Sequence, residues 1–350
     1  MNIVVGVPAF KADGILIPGV IAPAGQLDAV LAFHVRLASF SKIEFQKQLL
    51  KEYWVVIECL LALGLDPKLL YKPEYTPHTV VASLVEYGYS FMSPEFTAPS
   101  MLQFPRDAWT RLSHDLVLLN PESGWVLTED LEHKNHAIYS HFGEGGRVHA
   151  FGDVIIAPEW FVFPRAENSE KHILRRAKQY ERPLLDMGFR VVYLPNPIFE
   201  RIGDGGIWVE PDDHLDRVSG FLLDHKGNGH LVVSPTLRVG LQEGYGKVLR
   251  SVEQSISSWK RLLDPLEIEV HVPERCGVPL SCGFYQTPTG EVMVTSGDEA
   301  LVEVLASIVG RANLYCLNPA IELYSSLLGA GIHCLINEAP DWLLQPYAVH

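Results

Sequence analysis

The sequence predicts a mixed α/β fold, and three observations lead there. Short apolar runs of strand length recur along its 350 residues, at Ile3–Val7, Leu116–Leu119, Val154–Ile156, Arg190–Leu194, Leu231–Val233, Glu267–Val270, Glu291–Val294 and His333–Ile336. Between several of them lie helical patterns with charged faces, at Glu44–Leu63, Glu167–Met187, Leu241–Leu262 and Asp298–Val309. Alternation of the two kinds indicates strands and helices packed in one fold. Several strand candidates come in close pairs separated by turn residues, which favours mixed sheets over one doubly wound parallel sheet.

Composition narrows the class further. With 47% hydrophobic and 20% charged residues the chain can bury a sizeable core. No linker or low-complexity run divides it, and its 24 prolines and 28 glycines are spread throughout. The net charge of -14 and pI near 5.4 repel nucleic acid and anionic membrane and draw in cationic small molecules. That field suits a guanidinium or amine, although many cytosolic enzymes are acidic for solubility alone. No run reaches the roughly 18 apolar residues of a membrane span. Met1–Pro8 lacks a basic region before its apolar run and reads as a first strand, not a secretory signal. The five cysteines, Cys59, Cys276, Cys282, Cys316 and Cys334, are odd in number and irregularly spaced, which fits a reducing cytoplasm. Cys276 and Cys282 stand too far apart for a zinc half-site. No GxGxxG follows the first strand and no GxxxxGK[ST] occurs, so nucleotide binding loses its usual support.

The chemistry concentrates in four clusters. Cys334 ends the turn Gly329-Ala330-Gly331-Ile332-His333-Cys334, where glycines let the backbone approach a ligand closely. Cysteine is more often a small buried hydrophobe, the role expected of Cys59 inside an apolar helix. His214 and Asp216, in Pro211-Asp212-Asp213-His214-Leu215-Asp216, fall on one face if the segment is a strand. A solvated acidic turn or a carboxylate–histidine metal site is the alternative. Glu144 is set among glycines in Phe142-Gly143-Glu144-Gly145-Gly146-Arg147, either as a plain surface loop or as a presented carboxylate. Asp107 follows Arg106 between aromatics, in Phe104-Pro105-Arg106-Asp107-Ala108-Trp109; this is either a structural salt bridge or a carboxylate held to grip a cation. His133, His136, His141 and His149 read as a polar loop or a metal cluster, without a helix-borne HExxH. The serines lack a GxSxG elbow.

In that order Arg106-Asp107, Glu144-Gly145-Gly146, His214-x-Asp216 and Gly331-Ile332-His333-Cys334 resemble the guanidino-modifying enzymes of the pentein superfamily, nearest to the agmatine deiminase and bacterial peptidyl-arginine deiminase branch. The likeness runs from about residue 100 to residue 340 and carries no motif before that. It implies one catalytic domain over residues 1–350, built as a five-bladed α/β propeller of ββαβ modules. It also implies roles. Cys334 is the nucleophile, His214 the acid and base, Glu144 its orienting carboxylate, and Asp107 and Asp216 bind the guanidinium. No metal or organic cofactor is required. The implied reaction is hydrolysis of a guanidino group to a ureido product and ammonia; the alternative is transfer of the amidino group of arginine to an amine. The implied partner is a cationic small molecule such as arginine, agmatine or a derivative, with no nucleic acid or membrane, in the cytoplasm, and a homo-oligomer is compatible with this. A non-catalytic relative that only binds a ligand would not need the nucleophile.

The chain departs from the branch in three places: Ser281-Cys282-Gly283-Phe284 offers no asparagine, the first hundred residues lack a tryptophan-containing opening, and Leu335–Pro340 replaces a Thr/Gln-rich stretch. These differences bear on the substrate more than on the chemistry.

Overall fold

The structure is a computed structural model that describes residues 2–7, 42–70, 91–92, 105–120, 136–140, 142, 145–158, 181–195, 198–203, 206–211, 215–233, 246–273, 283–295, 299–317 and 332–344. In chain order its strands are β1 (Asn2–Gly6), β2 (Lys68–Leu70), β3 (Phe91–Met92), β4 (Trp109–Arg111), β5 (Val117–Leu119), β6 (Ala137–Tyr139), β7 (His149–Phe151), β8 (Val154–Pro158), β9 (Arg190–Leu194), β10 (Ile198–Gly203), β11 (Gly206–Pro211), β12 (Ser219–Leu223), β13 (Gly229–Val233), β14 (Ile268–His271), β15 (Phe284–Gln286), β16 (Val292–Val294), β17 (Leu314–Cys316) and β18 (Ile336–Ala339). The helices are α1 (Lys42–Ala62), α2 (Pro105–Ala108), α3 (Leu215–Val218), α4 (Gly246–Leu263), α5 (Glu299–Val309), α6 (Ile332–Leu335) and α7 (Asp341–Leu344).

One pattern is repeated. In β4–β5–β6, β7–β8–β9, β12–β13–β14 and β15–β16–β17 the first strand pairs antiparallel with the second, and the second parallel with the third. The antiparallel step needs only a tight turn, whereas the parallel step needs a crossover. Helices α4 and α5 lie between the second and third strands of their sheets, and α1 lies between β1 and β2. The remaining larger sheet repeats the pattern by joining the chain's two ends. Here β18 runs antiparallel to β1, from Asn2↔Ala339 to Val5↔Ile336, and β1 runs parallel to β2. β10 and β11 form a separate hairpin.

The helices bury one stripe each. On α1 the buried residues Tyr53, Val56, Ile57 and Leu60 recur at the i, i+3, i+4, i+7 spacing of a single helical face. On α5 Leu301, Leu305, Ile308 and Val309, at i, i+4, i+7 and i+8, likewise share one face. Each fully buried side chain of this kind contributes roughly 1.5–3 kcal/mol of transfer free energy.

The cores formed in this way join the sheets in a closed order. Val4 of β1 packs with Trp109 and Val117 of β4–β5. Leu118 of β5 packs with Ile155 and Ala157 of β8. Ile156 of β8 packs with Leu231 of β13 and Trp259 of α4, and Val232 of β13 with Phe284 and Val294 of β15–β16. Tyr285 and Met293 then pack with Ile3 and Val5 of β1, returning to the start. Five sheets of the same construction therefore share five cores, each between two neighbours.

Two expectations from the sequence are corrected. His333–Ile336 is not a strand: residues 332–335 form the single turn α6, and the strand begins at Ile336. A four-residue apolar run fits either period, and burial of Ile332, Cys334 and Leu335 selects the helical one. Asp216 likewise lies on helix α3 and not on a strand, so period-two alternation does not relate it to His214. Within Glu167–Met187, residues 181–186 are helical and 159–180 lie outside the described residues. Among the described residues no helix is long and apolar enough to cross a membrane.

Candidate active site

Four short turns, each directly preceding the first strand of its sheet, converge. α2 leads into β4, the 3-10 turn Gly145–Arg147 into β7, α3 into β12 and α6 into β18. Contacts run from α6 to α2, from α2 to the 3-10 turn, and from that turn to α3. Close approach at Gly145 is obligatory, since a Cβ there would sit 1.9 Å from the Arg106 carbonyl oxygen and 2.6 Å from Thr110 Oγ1.

At the centre of this convergence Cys334 of α6 meets Asp216 of α3. Both are buried, and the Cys334 thiol donates to Asp216 Oδ2 at 3.3 Å. His333 Nδ1 lies 3.9 Å from the same carboxylate oxygen. Arg106 of α2 donates from Nη2 to the Val148 carbonyl at 2.9 Å. Burial lowers the Arg106 pKa, while Asp216, Cys334, Glu338 and Tyr285 push it back up. The site thus holds one buried cation against several acidic groups.

His149 of β7 sits behind this pair. Its Nε2 lies 3.2 Å from Ser219 Oγ, and the Ser219 hydroxyl spends its one proton on the Leu215 carbonyl at 2.9 Å. His149 Nε2–H must therefore be the donor. Burial pushes the His149 pKa down to about 3, with the charges of His333 and Arg106 adding to the effect, so the ring is neutral at physiological pH. Burial and Arg106 lower the His333 pKa as well, against Asp216, which raises it.

Polar bonds at the inner strands accompany three of the shared cores. Asn337 of β18 donates through Nδ2 to the carbonyls of Pro105 and Trp109 at 2.9 and 2.8 Å. Trp109 Nε1 donates back to the Glu338 carbonyl at 2.9 Å. Gln286 of β15 clasps Leu223 of β12 twice, accepting from its N–H at 2.7 Å and donating to its carbonyl at 2.8 Å. Tyr285 donates to Glu338 Oε1 at 3.3 Å, and Arg111 pairs with Glu338 Oε2. Burial holds the Tyr285 pKa well above its usual value, reinforced by Glu338. A cavity of about 620 Å³ lies between these strands. Arg111, His149, Phe221, Tyr285 and Glu338 line it, one from the first strand of each of the five sheets. Its remaining walls include Arg106 and His333.

Of the residues singled out in the sequence, the structure brings Cys334 and Asp216 together. Asp107 lies on α2 with its side chain outside the described residues, and Glu144 and His214 lie outside them altogether. His136 and His149 do not cluster: His136 stacks on Trp342 with ring centroids 5.7 Å apart, whereas His149 faces His333 at 6.0 Å. Cys59 packs against the α1 core, and burial raises its pKa to about 11, as suits an inert thiol. His333, Asn337 and Glu338 were given no role by sequence reasoning, while Arg106 was read only as the partner of Asp107 and His149 only as part of a polar loop or metal cluster. The available signal was position, since each lies within four residues of a singled-out residue or opens a strand that follows one of the converging turns. Among the described residues of this site, no three ligand-type atoms lie close enough to share an ion.

No protein-family model and no curated protein sequence matches the chain. Among solved structures, it is similar to inosamine-phosphate amidinotransferase from Streptomyces griseus, at 15% identity and a TM-score of 0.35 over 74% of this chain and 77% of that one.

Proposed function

We propose that the protein is a cysteine-dependent guanidino-group hydrolase whose five sheets form the blades of an α/β propeller, a single catalytic domain over residues 1–350. The observation that carries the reading is the buried contact of Cys334 with Asp216 at 3.3 Å, across 118 residues of sequence. A nucleophile and a carboxylate side by side, at a point where turns from several sheets meet, suit a planar cation that must be held by one group and attacked by the other.

In this mechanism Asp216 and Asp107 hydrogen-bond the guanidinium nitrogens and fix its carbon before the sulfur. Cys334 attacks that carbon, giving a tetrahedral adduct. His214, oriented by Glu144, protonates the departing nitrogen, and ammonia leaves an amidino-thioether on Cys334. Water, deprotonated by His214, then adds to the same carbon, and the thiolate departs from a ureido product. A covalent route divides one difficult displacement into two easier ones. A thiolate beside Asp216 needs compensating positive charge; buried Arg106 supplies one cation, and the substrate brings a second.

A haloacetamidine reagent tests the site. It should alkylate Cys334 faster than Cys316, which is exposed, and agmatine or arginine should protect Cys334 alone. Equal labelling of the two thiols, unaffected by either compound, would refute the assignment.

A further inference from the structure

We propose a second, non-catalytic site, a zinc-class metal clip formed by His230, Glu269 and His271 on neighbouring strands of one sheet. His230 opens into β13 opposite Glu269 of β14, and His271 lies two residues further along β14. The intervening Leu231, Ile268 and Val270 point into the core shared with α4, so alternation puts the three polar side chains on the other face.

Their ligand atoms converge. His230 Nδ1 and His271 Nε2 are 2.9 Å apart. Glu269 Oε2 lies 3.7 Å from the first and 3.6 Å from the second. Ligands around a tetrahedral ion with bonds of about 2.0 Å are separated by roughly 3.3 Å, so small adjustments admit an ion.

An independent observation points the same way. On the far side of His230, the buried Nε2 has the Asp224 carboxylate as its neighbour, with Oδ2 at 3.6 Å. Asp224 is held in place: its Oδ1 accepts from the N–H groups of Lys226 and Asn228 at 2.8 and 2.9 Å, and its Oδ2 from Asn228 Nδ2 at 2.8 Å. A carboxylate behind an imidazole keeps the proton on the outer nitrogen and leaves a lone pair on the inner one, the usual support of a metal-binding histidine. Two imidazoles with one carboxylate select zinc, nickel or copper over magnesium or calcium. Glu269 is 68% exposed and the imidazoles are mostly buried, which leaves a fourth position for water. Bound there, the ion ties β13 to β14 across the crossover that contains α4.

The test uses the full chain freed of metal by a chelator and titrated with zinc chloride against a chromophoric competitor. One zinc per chain is expected, with a rise in Tm that the chelator reverses. Cobalt chloride should give the visible absorption of a four-coordinate site. Glu269→Gln, at an exposed position, and His271→Ala should each weaken zinc at least about tenfold, while His114→Ala, exposed and beside Asp115, should not. Circular dichroism of each variant separates loss of the site from loss of the fold. Absence of stoichiometric zinc, or zinc retained by Glu269→Gln and His271→Ala but lost from Cys334→Ser, overturns the proposal; the histidine pair is then only an imidazole–imidazole hydrogen bond.

Discussion

Cys334 sits between opposing influences: a carboxylate 3.3 Å away and the buried guanidinium of Arg106. Removing either reacting partner should have a different kinetic signature. Cys334→Ser should lower kcat by at least about a thousandfold, because the alcohol is not activated by a site built around a thiolate. Asp216→Asn keeps the shape but loses the charge that holds a cation, and should cost about two orders of magnitude in kcat/KM. His149 gives a stability prediction instead. Its pKa falls from 6.5 to about 3 on folding, so below pH 6.5 the unfolded chain takes up a proton that the native chain refuses. Its contribution is therefore complete above pH 6.5 and is lost as pH falls toward 3, with a slope of about 1.4 kcal/mol per pH unit for one proton. Urea midpoints measured over that range should fall, and less steeply for His149→Gln. At this scale Cys334 and Asp216 were legible because their residue types announce chemistry. Arg106 and His149 stood out only as the neighbour of Asp107 and as one of several histidines, because their place in the site comes from burial, which a linear sequence does not display.

At the scale of elements, the one-turn helices bring Arg106, Asp216 and Cys334 together, and Asn337 ties α2 to β18. Its side-chain amide spans from β18 to the turn that carries Arg106 and Asp107, and its Oδ1 accepts from the Glu338 N–H at 2.9 Å. Asn337→Ala would remove both buried hydrogen bonds from Nδ2 to the Pro105 and Trp109 carbonyls. It should cost about 1–3 kcal/mol and lower kcat more than it raises KM, checked by denaturant unfolding and steady-state rates on the same preparation. The sequence shows Asn337 only as a departure from a familiar pattern, and its packing supplies the reason for it. The longer elements were easier to read: the ends of α1 and α5 and the C-terminal end of α4 fall within two residues of the expected ones, while residues 241–245 of the expected helix lie outside the described residues. The short turn α6 was misread as strand and the Asp216 segment was left open between strand and turn, because four residues do not distinguish a period of two from one of 3.6.

At the scale of the whole molecule, repetition emerges that the sequence does not spell out. The five sheets share their pairing pattern but not their residues, and the first of them is assembled from both ends of the chain. Mixed sheets and alternating helices were legible from pattern; the closed order of cores was not, because it depends on which sheets touch. A chain whose cores are all shared between neighbours should unfold as one unit. Calorimetry should give a single transition with equal calorimetric and van't Hoff enthalpies; two separable transitions would contradict the single-domain proposal.

The most direct test of the central claim is mass spectrometry of the products formed from agmatine, arginine and an arginine peptide, with and without an added amine, by the wild-type protein and by Cys334→Ser. The account predicts exchange of one guanidino nitrogen for oxygen with release of ammonia in at least one mixture, by the wild type alone. The same conversion by Cys334→Ser at the wild-type rate, or transfer of the amidine to the added amine in place of hydrolysis, would contradict it.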